Sequence, residues 1–151
     1  MMLSLKRRTA LAGAAAFALL AGGRTPAAAA SPHYLGALEA FLAGREAAAG
    51  GIAIGAPEVA EDGNTVAVSI EVDSPMTEAD HVREVVLFAT RNPVAEVARF
   101  HLTPACGRAF VATRIRLSES QDVVAVAELS DGSLRRARRE VRVTVGGCGA
   151  A

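Results

Sequence analysis

Aromatic side chains are scarce in this sequence. Tryptophan is absent, Tyr34 is the only tyrosine, and aromatic residues make up 4% of the chain. Proteins that bind single-stranded nucleic acid or sugars commonly use aromatic rings as stacking platforms. The composition therefore argues against both of these binding classes.

The chain also lacks an excess of positive charge. Its 16 basic residues are balanced by 16 acidic ones, but four of the basic residues and no acidic residue fall within the first 30 positions. The remaining 121 residues contain 12 arginines and 16 carboxylates, a net charge of −4. This excess of negative charge argues against nucleic acid or an anionic membrane as the partner.

No apolar run near the N-terminus is long enough to span a bilayer, which takes about 20 residues. The run Ala10–Gly22 has 13 residues, follows the basic stretch Lys6–Arg8 and precedes the small residues Ala28–Ala30. This order is typical of an export signal, so we predict that residues 1–30 are removed before Ser31. The adjacent arginines resemble a twin-arginine signal, although Sec export remains open. Either route predicts a periplasmic protein.

Motifs of autonomous enzymes and metal sites are missing as well. His33, His81 and His101 are far apart, no cysteine pair brackets them, and no nucleophile-elbow, phosphate-loop or dinucleotide motif occurs. We therefore expect no metal and no catalytic residues of the chain's own.

Residues 31–51 are predicted to form a helix and a linker. Ser31 and Pro32 are typical of a helix start, and Gly44 marks its end. Residues 45–51 then lead into the main domain. The expected apolar stripe of the helix consists of Tyr34, Leu35, Leu38, Phe41 and Leu42.

Residues 52–145 have the two-residue periodicity of β-strands. Val66, Val68, Ile70 and Val72 alternate with small or polar residues, and turn-forming residues separate seven candidate strands. The predicted fold is all-β, an immunoglobulin-like antiparallel β-sandwich with a short N-terminal helix and a flexible C-terminal arm. The candidate strands are 56–60, 66–72, 82–90, 94–102, 109–117, 123–129 and 134–145.

The predicted arm, residues 146–151, contains Gly146, Gly147, Cys148 and Gly149. Glycine has no side chain to bury and loses the most backbone freedom on ordering, so we expect a mobile tether. Three residue steps from Val145 would carry the thiol roughly 10 Å from the body. A thiolate is a nucleophile that other active sites can reach. A frayed terminus with an incidental cysteine is the alternative.

Cys106 is a possible secondary thiol. In an oxidising compartment it could form a disulfide with Cys148 and immobilise the arm. The glycines beside Cys148 argue against this bridge, because stable disulfides join ordered segments.

An arginine-rich stretch leads into the arm. It is either a solvated strand face or a positive field that favours an anionic substrate or a thiolate. Its members are Arg135, Arg136, Arg138, Arg139 and Arg142.

Several stretches resemble the SoxY family, the sulfur carriers of the periplasmic thiosulfate-oxidising system. They are VDSPMTEADHV (72–82), VLFATRNPVAEVARFHLTPACGRA (86–109), TRIRLSESQDVVAVAELSDGS (113–133) and REVRVTVGGCGA (139–150). The family ends in GGCGG. Here Ala150 replaces the last glycine, and Ala151 follows it.

The resemblance implies a carrier subunit, not an enzyme, and no cofactor. Cys148 would hold thiosulfate-derived sulfur, joined to it by a c-type cytochrome and processed by a hydrolase and other enzymes. A SoxZ-like β-sandwich would complete a heterodimer. Two alternatives stay open: a secreted binding module that uses Cys148 as a disulfide tether or dimerisation point, and a thiol enzyme that pairs Cys148 with His101.

Overall fold

The computed structural model describes residues 29–147, which form one helix and nine strands. The helix is α1 (Pro32–Leu42) and a 3₁₀ turn spans Pro104–Cys106. The strands are β1 (Ala47–Ala49), β2 (Ile52–Gly55), β3 (Val59–Asp62), β4 (Val66–Val72), β5 (Val82–Ala89), β6 (Glu96–His101), β7 (Phe110–Ile115), β8 (Gln121–Leu129) and β9 (Leu134–Val145). Among these residues, no helix has the length and apolar character that a bilayer span requires.

The strands form two sheets. The larger sheet has the order β1-β9-β8-β5-β6, with β3 also paired to β9, and the smaller has the order β2-β4-β7. Most neighbours are antiparallel, while β1 and β3 run parallel to the two ends of β9. The structure confirms the predicted β-sandwich with a short N-terminal helix.

The main core lies between the sheets. Along β4 the buried positions alternate with more exposed ones, as the two-residue periodicity predicts. The strands β5 and β8 are instead almost continuously buried, because the smaller sheet covers one face and α1 covers the other. Val85, Leu87 and Val123 face the first core, whereas Val86, Phe88 and Val124 face the helix.

The helix begins as predicted. The hydroxyl of Ser31 accepts a hydrogen bond from the backbone N–H of Tyr34, at 3.2 Å, and Pro32 occupies the first turn. Its buried face contains Tyr34 and Leu38, while Leu35 is 54% exposed. The expected stripe was therefore wrong at Leu35, because the helix contacts the sheet along a narrower line than its apolar residues cover.

Two strands were not predicted, and both lie between the helix and residue 56. β1 falls inside the expected linker, and β2 precedes the candidate strand 56–60. The candidate strand 56–60 was misplaced, because it starts after β2 ends and overlaps only the beginning of β3. β2 pairs with β4 in the smaller sheet, and β3 pairs with β9 in the larger one. Pro57 has no N–H to donate, so the chain leaves one sheet here and joins the other.

Candidate functional site at the end of β9

The last strand carries the chain toward the predicted attachment cysteine. Val145 ends β9, and Gly146 and Gly147 are the last described residues. Cys148, Gly149, Ala150 and Ala151 lie outside the described part of the chain, as do residues 1–28 of the predicted signal. The site is therefore built from the residues that lead to Cys148.

Three chain segments meet where β9 ends. The N–H of Gly63 donates to the carbonyl of Val145, the N–H of Leu117 donates to the carbonyl of Gly63, and the N–H of Gly147 donates to the carbonyl of Leu117. Each N–O distance is 2.8 Å, which is a strong backbone geometry. We call this contact of Gly63, Leu117 and residues 145–147 the arm root.

The arm root brings backbone atoms so close that side chains do not fit. A Cβ on Gly146 would lie 2.1 Å from the carbonyl oxygen of Ser118, and one on Gly147 would lie 2.3 Å from the carbonyl of Gly63. A Cβ on Gly63 would lie 2.2 Å from the oxygen of Leu117. Glycine is thus required here by space. Gly147 is also buried, so the first two arm glycines have a packing role that sequence reasoning missed.

A buried polar network supports the loop beneath the arm root. The side-chain oxygen of Asn92 accepts hydrogen bonds from the Ser118 N–H at 3.0 Å, the Ser118 hydroxyl at 3.1 Å and the Gln121 amide at 2.8 Å. The Asn92 amide donates to the carbonyl of Arg116, at 2.8 Å. Asn92 and Gln121 are 8% and 4% exposed, so their amides are satisfied inside the protein.

Sequence reasoning also missed this network. Asn92 was interpreted only as a turn residue before Pro93. The sequence contained only a weak sign of this network, namely that two amide side chains, Asn92 and Gln121, each lie next to a strongly apolar strand. Their partnership depends on the pairing of β5 with β8, which places Ala89 opposite Val123.

Cys106 lies at the opposite end of the sandwich from the arm root. It is exposed, with a free thiol, in the 3₁₀ turn that precedes β7, whereas Leu117 follows the end of β7. The five residue steps of β7 separate the two ends by roughly 17 Å. A disulfide needs Cα atoms within about 7 Å, and Cys148 is one residue beyond Gly147. The described geometry therefore disfavours the Cys106–Cys148 bridge within one chain.

The histidines are not brought to the arm root either. His101 ends β6 at the same end as Cys106, and its Nδ1 is 3.8 Å from a carboxylate oxygen of Glu84. His81 lies beside the carbonyl of Thr77, and His33 is exposed on α1. Within residues 29–147, no three His, Cys, Asp or Glu side chains are grouped as metal ligands would be. The pairing of Cys148 with His101 therefore finds no geometric support.

The arginines of β9 are divided between its two faces. Arg138 is 3.7 Å from Asp122, Arg142 forms an ion pair with Glu58, and Arg135 packs beside Gly51. Arg136, Arg138, Arg139 and Arg142 are exposed. Because carboxylates neutralise part of this charge and water screens the rest, the strand creates only a diffuse positive field.

A family model and a solved structure indicate the same family. The family model described as "Sulfur oxidation protein SoxY" matches residues 38–148. No curated protein matches the chain.

Solved structures give a similar picture. The sulfur carrier protein SoxY from Chlorobium limicola f thiosulfatophilum is 29% identical, with a TM-score of 0.60 over 76% of this chain and 100% of that one. A superoxide reductase (neelaredoxin) from Ignicoccus hospitalis is 22% identical, with a TM-score of 0.55 over 62% of this chain and 80% of that one. At that identity the second likeness concerns the fold alone.

Proposed function

Because the chain belongs to the SoxY family of sulfur oxidation proteins, we propose that it carries sulfur intermediates covalently on the thiol of Cys148. The observation that carries this proposal is the extent of the family match, which begins within α1 and runs to Cys148 itself. The similar protein from Chlorobium limicola is described as a sulfur carrier, and this chain spans its whole length.

The chemistry requires only a thiol on this protein. In the loading step, Cys–SH and S₂O₃²⁻ give Cys–S–S–SO₃⁻, one proton and two electrons, which a c-type cytochrome accepts. In the release step, water adds to the sulfonate sulfur and gives Cys–S–S⁻, SO₄²⁻ and two protons, with a hydrolase as catalyst. The carrier contributes the nucleophilic sulfur and a surface on which the enzymes dock.

The arrangement of the chain supports division into four parts. Residues 1–30 would direct export to the periplasm, 31–51 would form the N-terminal helix and a connection that includes β1, 52–145 would form the carrier domain, and 146–151 would form the arm with Gly146, Gly147 and Gly149 around the thiol. A SoxZ-like β-sandwich would be the permanent partner. Cys106 would take no part in transport.

Mass spectrometry of the intact protein tests the proposal. After incubation with thiosulfate and the cognate cytochrome, we expect a mass increase on wild-type protein that reducing agent removes. Cys148→Ser should show no increase, whereas the matched variant Cys106→Ser should behave as wild type. Undiminished adducts on Cys148→Ser would overturn the proposal. A stable disulfide-linked dimer of the wild type without any sulfur adduct would favour the tether function instead.

A further inference from the structure

We propose that Gly63, Gly146 and Gly147 form a clamp that fixes the start of the arm to the body, so that Cys148 follows directly after a fixed residue. This inference rests on the proposed function, because it concerns how the thiol is presented to partner enzymes. The three glycines would act as positioning residues. The sequence alone suggested a freely moving tether that starts after Val145.

The hydrogen bonds of the arm root connect Gly147 to the body. Gly63 follows β3, which belongs to the larger sheet, and Leu117 follows β7, which belongs to the smaller sheet. The Gly147 N–H is bonded to Leu117, and Leu117 is itself bonded to Gly63. Gly147 is therefore linked to both layers of the sandwich.

The space around the three glycines admits no side chain. All three would place a Cβ between 2.1 and 2.3 Å from a backbone atom of another segment, and real Cβ contacts are longer than 3.0 Å. Backbone atoms cannot rotate away as flexible side chains can. A tether selected only for freedom needs no such close fit on the body.

The loop against which Gly146 and Gly147 pack is itself held by burial and hydrogen bonds. Leu117 is fully buried, and Ser118 is held by the buried side chain of Asn92. On the strand side, the Ser120 hydroxyl accepts a hydrogen bond from the N–H of Val143 at 2.9 Å. The loop and the last residues of β9 are thus bound to each other on both sides of the arm root.

The clamp shortens the reach of the thiol. If the arm were free from Val145 onward, three residue steps would let the thiol reach roughly 10 Å from the body. With Gly147 fixed, only one peptide step of about 3.8 Å, between the Cα atoms of Gly147 and Cys148, is left. A partner enzyme must then bring its active site to the body beside Leu117 and Ser118. The body, and not only the arm, would contribute to recognition by each partner.

Two alanine variants distinguish a clamp from a tether. The substitution Gly147→Ala opens the clamp, whereas Gly36→Ala adds the same methyl group on the exposed face of α1, outside the arm. For each variant, the rate of cytochrome-dependent thiosulfate addition is divided by the rate of alkylation of Cys148 by iodoacetamide, measured in a Cys106→Ser background. This ratio separates presentation of the thiol from its intrinsic reactivity.

We expect the ratio to fall about 10- to 100-fold for Gly147→Ala. The physical reason is that displacing a reacting group by about an ångström slows reactions that depend on orientation by a similar factor. The ratio should stay within about twofold for Gly36→Ala. Equal ratios for the two variants would overturn the clamp. If the wild type accepts no thiosulfate at all, the proposed function fails instead, so the two failures are distinguishable.

A second variant covers the case in which Gly147→Ala unfolds the protein. One glycine inserted between Gly147 and Cys148 leaves every contact of the arm root intact but displaces the thiol by one peptide step. The clamp predicts a lower ratio for this insertion, with an unchanged rate of alkylation. A free tether would tolerate it, so an unchanged ratio would also contradict the clamp.

Discussion

At the scale of single residues, the glycines of this protein have two different functions. Gly36 lies in the exposed face of α1, and outside its chain neighbours and the adjacent helix backbone no heavy atom lies within 4 Å of the position that a Cβ would take. Gly63 lies in the arm root, where a Cβ would meet the oxygen of Leu117. The same amino acid is thus replaceable in one place and required in the other.

Alanine substitution should therefore have opposite effects at these two glycines. We expect Gly36→Ala to raise the free energy of unfolding by about 0.5–1 kcal/mol, because alanine loses less backbone entropy in a helix. Gly63→Ala should lower it by about 1–3 kcal/mol through overpacking. Urea denaturation of both variants measures the difference. A destabilisation of equal size at the two positions would contradict this account.

At the scale of elements, α1 serves as the outer cover of the larger sheet. Its residues Tyr34 and Phe41 contact the ring of Phe88 edge-on, with centroid distances of 6.1 and 6.3 Å. Leu38 belongs to the same buried cluster. Without this helix, the outer faces of β5 and β8 would expose apolar residues such as Val86 and Val124 to water.

Two leucines of α1, one buried and one exposed, allow the same substitution to be compared in both environments. Leu38→Ala should lower the free energy of unfolding by about 2 kcal/mol or more, because it removes a buried side chain. Leu35→Ala should change it by less than about 0.5 kcal/mol, since Leu35 is mostly exposed. Thermal or urea denaturation tests both. If Leu35→Ala proved to be the costlier variant, the orientation of the helix would be wrong.

A second element-scale feature is the charge cluster on β5 and β6. Arg99 donates hydrogen bonds to both carboxylate oxygens of Glu96, each at 2.8 Å, and also to Glu84. The hydrogen bonds from Arg99 hold the pKa of the Glu96 carboxyl below its ordinary value. This stabilisation is fully present above the pKa of the unfolded chain, about 4.3, and is lost as the pH falls through the lower folded value.

Glu96→Gln should therefore destabilise the protein more at pH 7 than at pH 3. The carboxylate is partly exposed, so we expect a difference of only about 0.2–1 kcal/mol. Urea midpoints at the two pH values measure it. Arg99→Gln, which removes the other partner, should reduce the same pH dependence. An equal loss at both pH values for Glu96→Gln would show that the ion pair does not stabilise the fold.

At the scale of the whole molecule, the sandwich separates the arm root from Cys106. The arm root lies at the end formed by the carboxyl termini of β7 and β9, and Cys106 lies at the other end with His101. Strand length alone keeps these ends roughly 17 Å apart. We therefore expect Cys106 to lie too far from the arm root for a disulfide with Cys148 in the same chain.

Oxidation of the purified protein tests this separation. Under a mild thiol oxidant, we expect peptide mapping to find no peptide that links Cys106 to Cys148 within a monomer. The exposed Cys106 should instead form bridges between chains, and Cys106→Ser should remove them. A bridged monomer in substantial yield would show that the arm root opens and that the chain end travels across the body.

The sequence by itself determined the local features of this protein. The alternation of Val66, Val68 and Ile70 predicted a half-buried strand, Ser31 and Pro32 predicted the helix start, and the residues around Cys148 indicated the family. Each of these signals is contained in a few neighbouring residues, because strand periodicity, helix capping and short motifs are local properties. The flexibility of the arm and the role of Cys148 stay predictions from the same local signals.

Only the tertiary structure decided which distant residues meet. The contact of Gly63, Leu117 and Gly147, the burial of Asn92 and the exposure of Leu35 depend on strand pairing and on how α1 crosses the sheet. The glycines at 146 and 147 show the difference most clearly, because local reasoning assigned them freedom, whereas the fold brings backbone atoms of Ser118 and Gly63 against them. The sequence indicates the chemistry and local conformation of a residue, whereas the fold decides which distant atoms lie next to it.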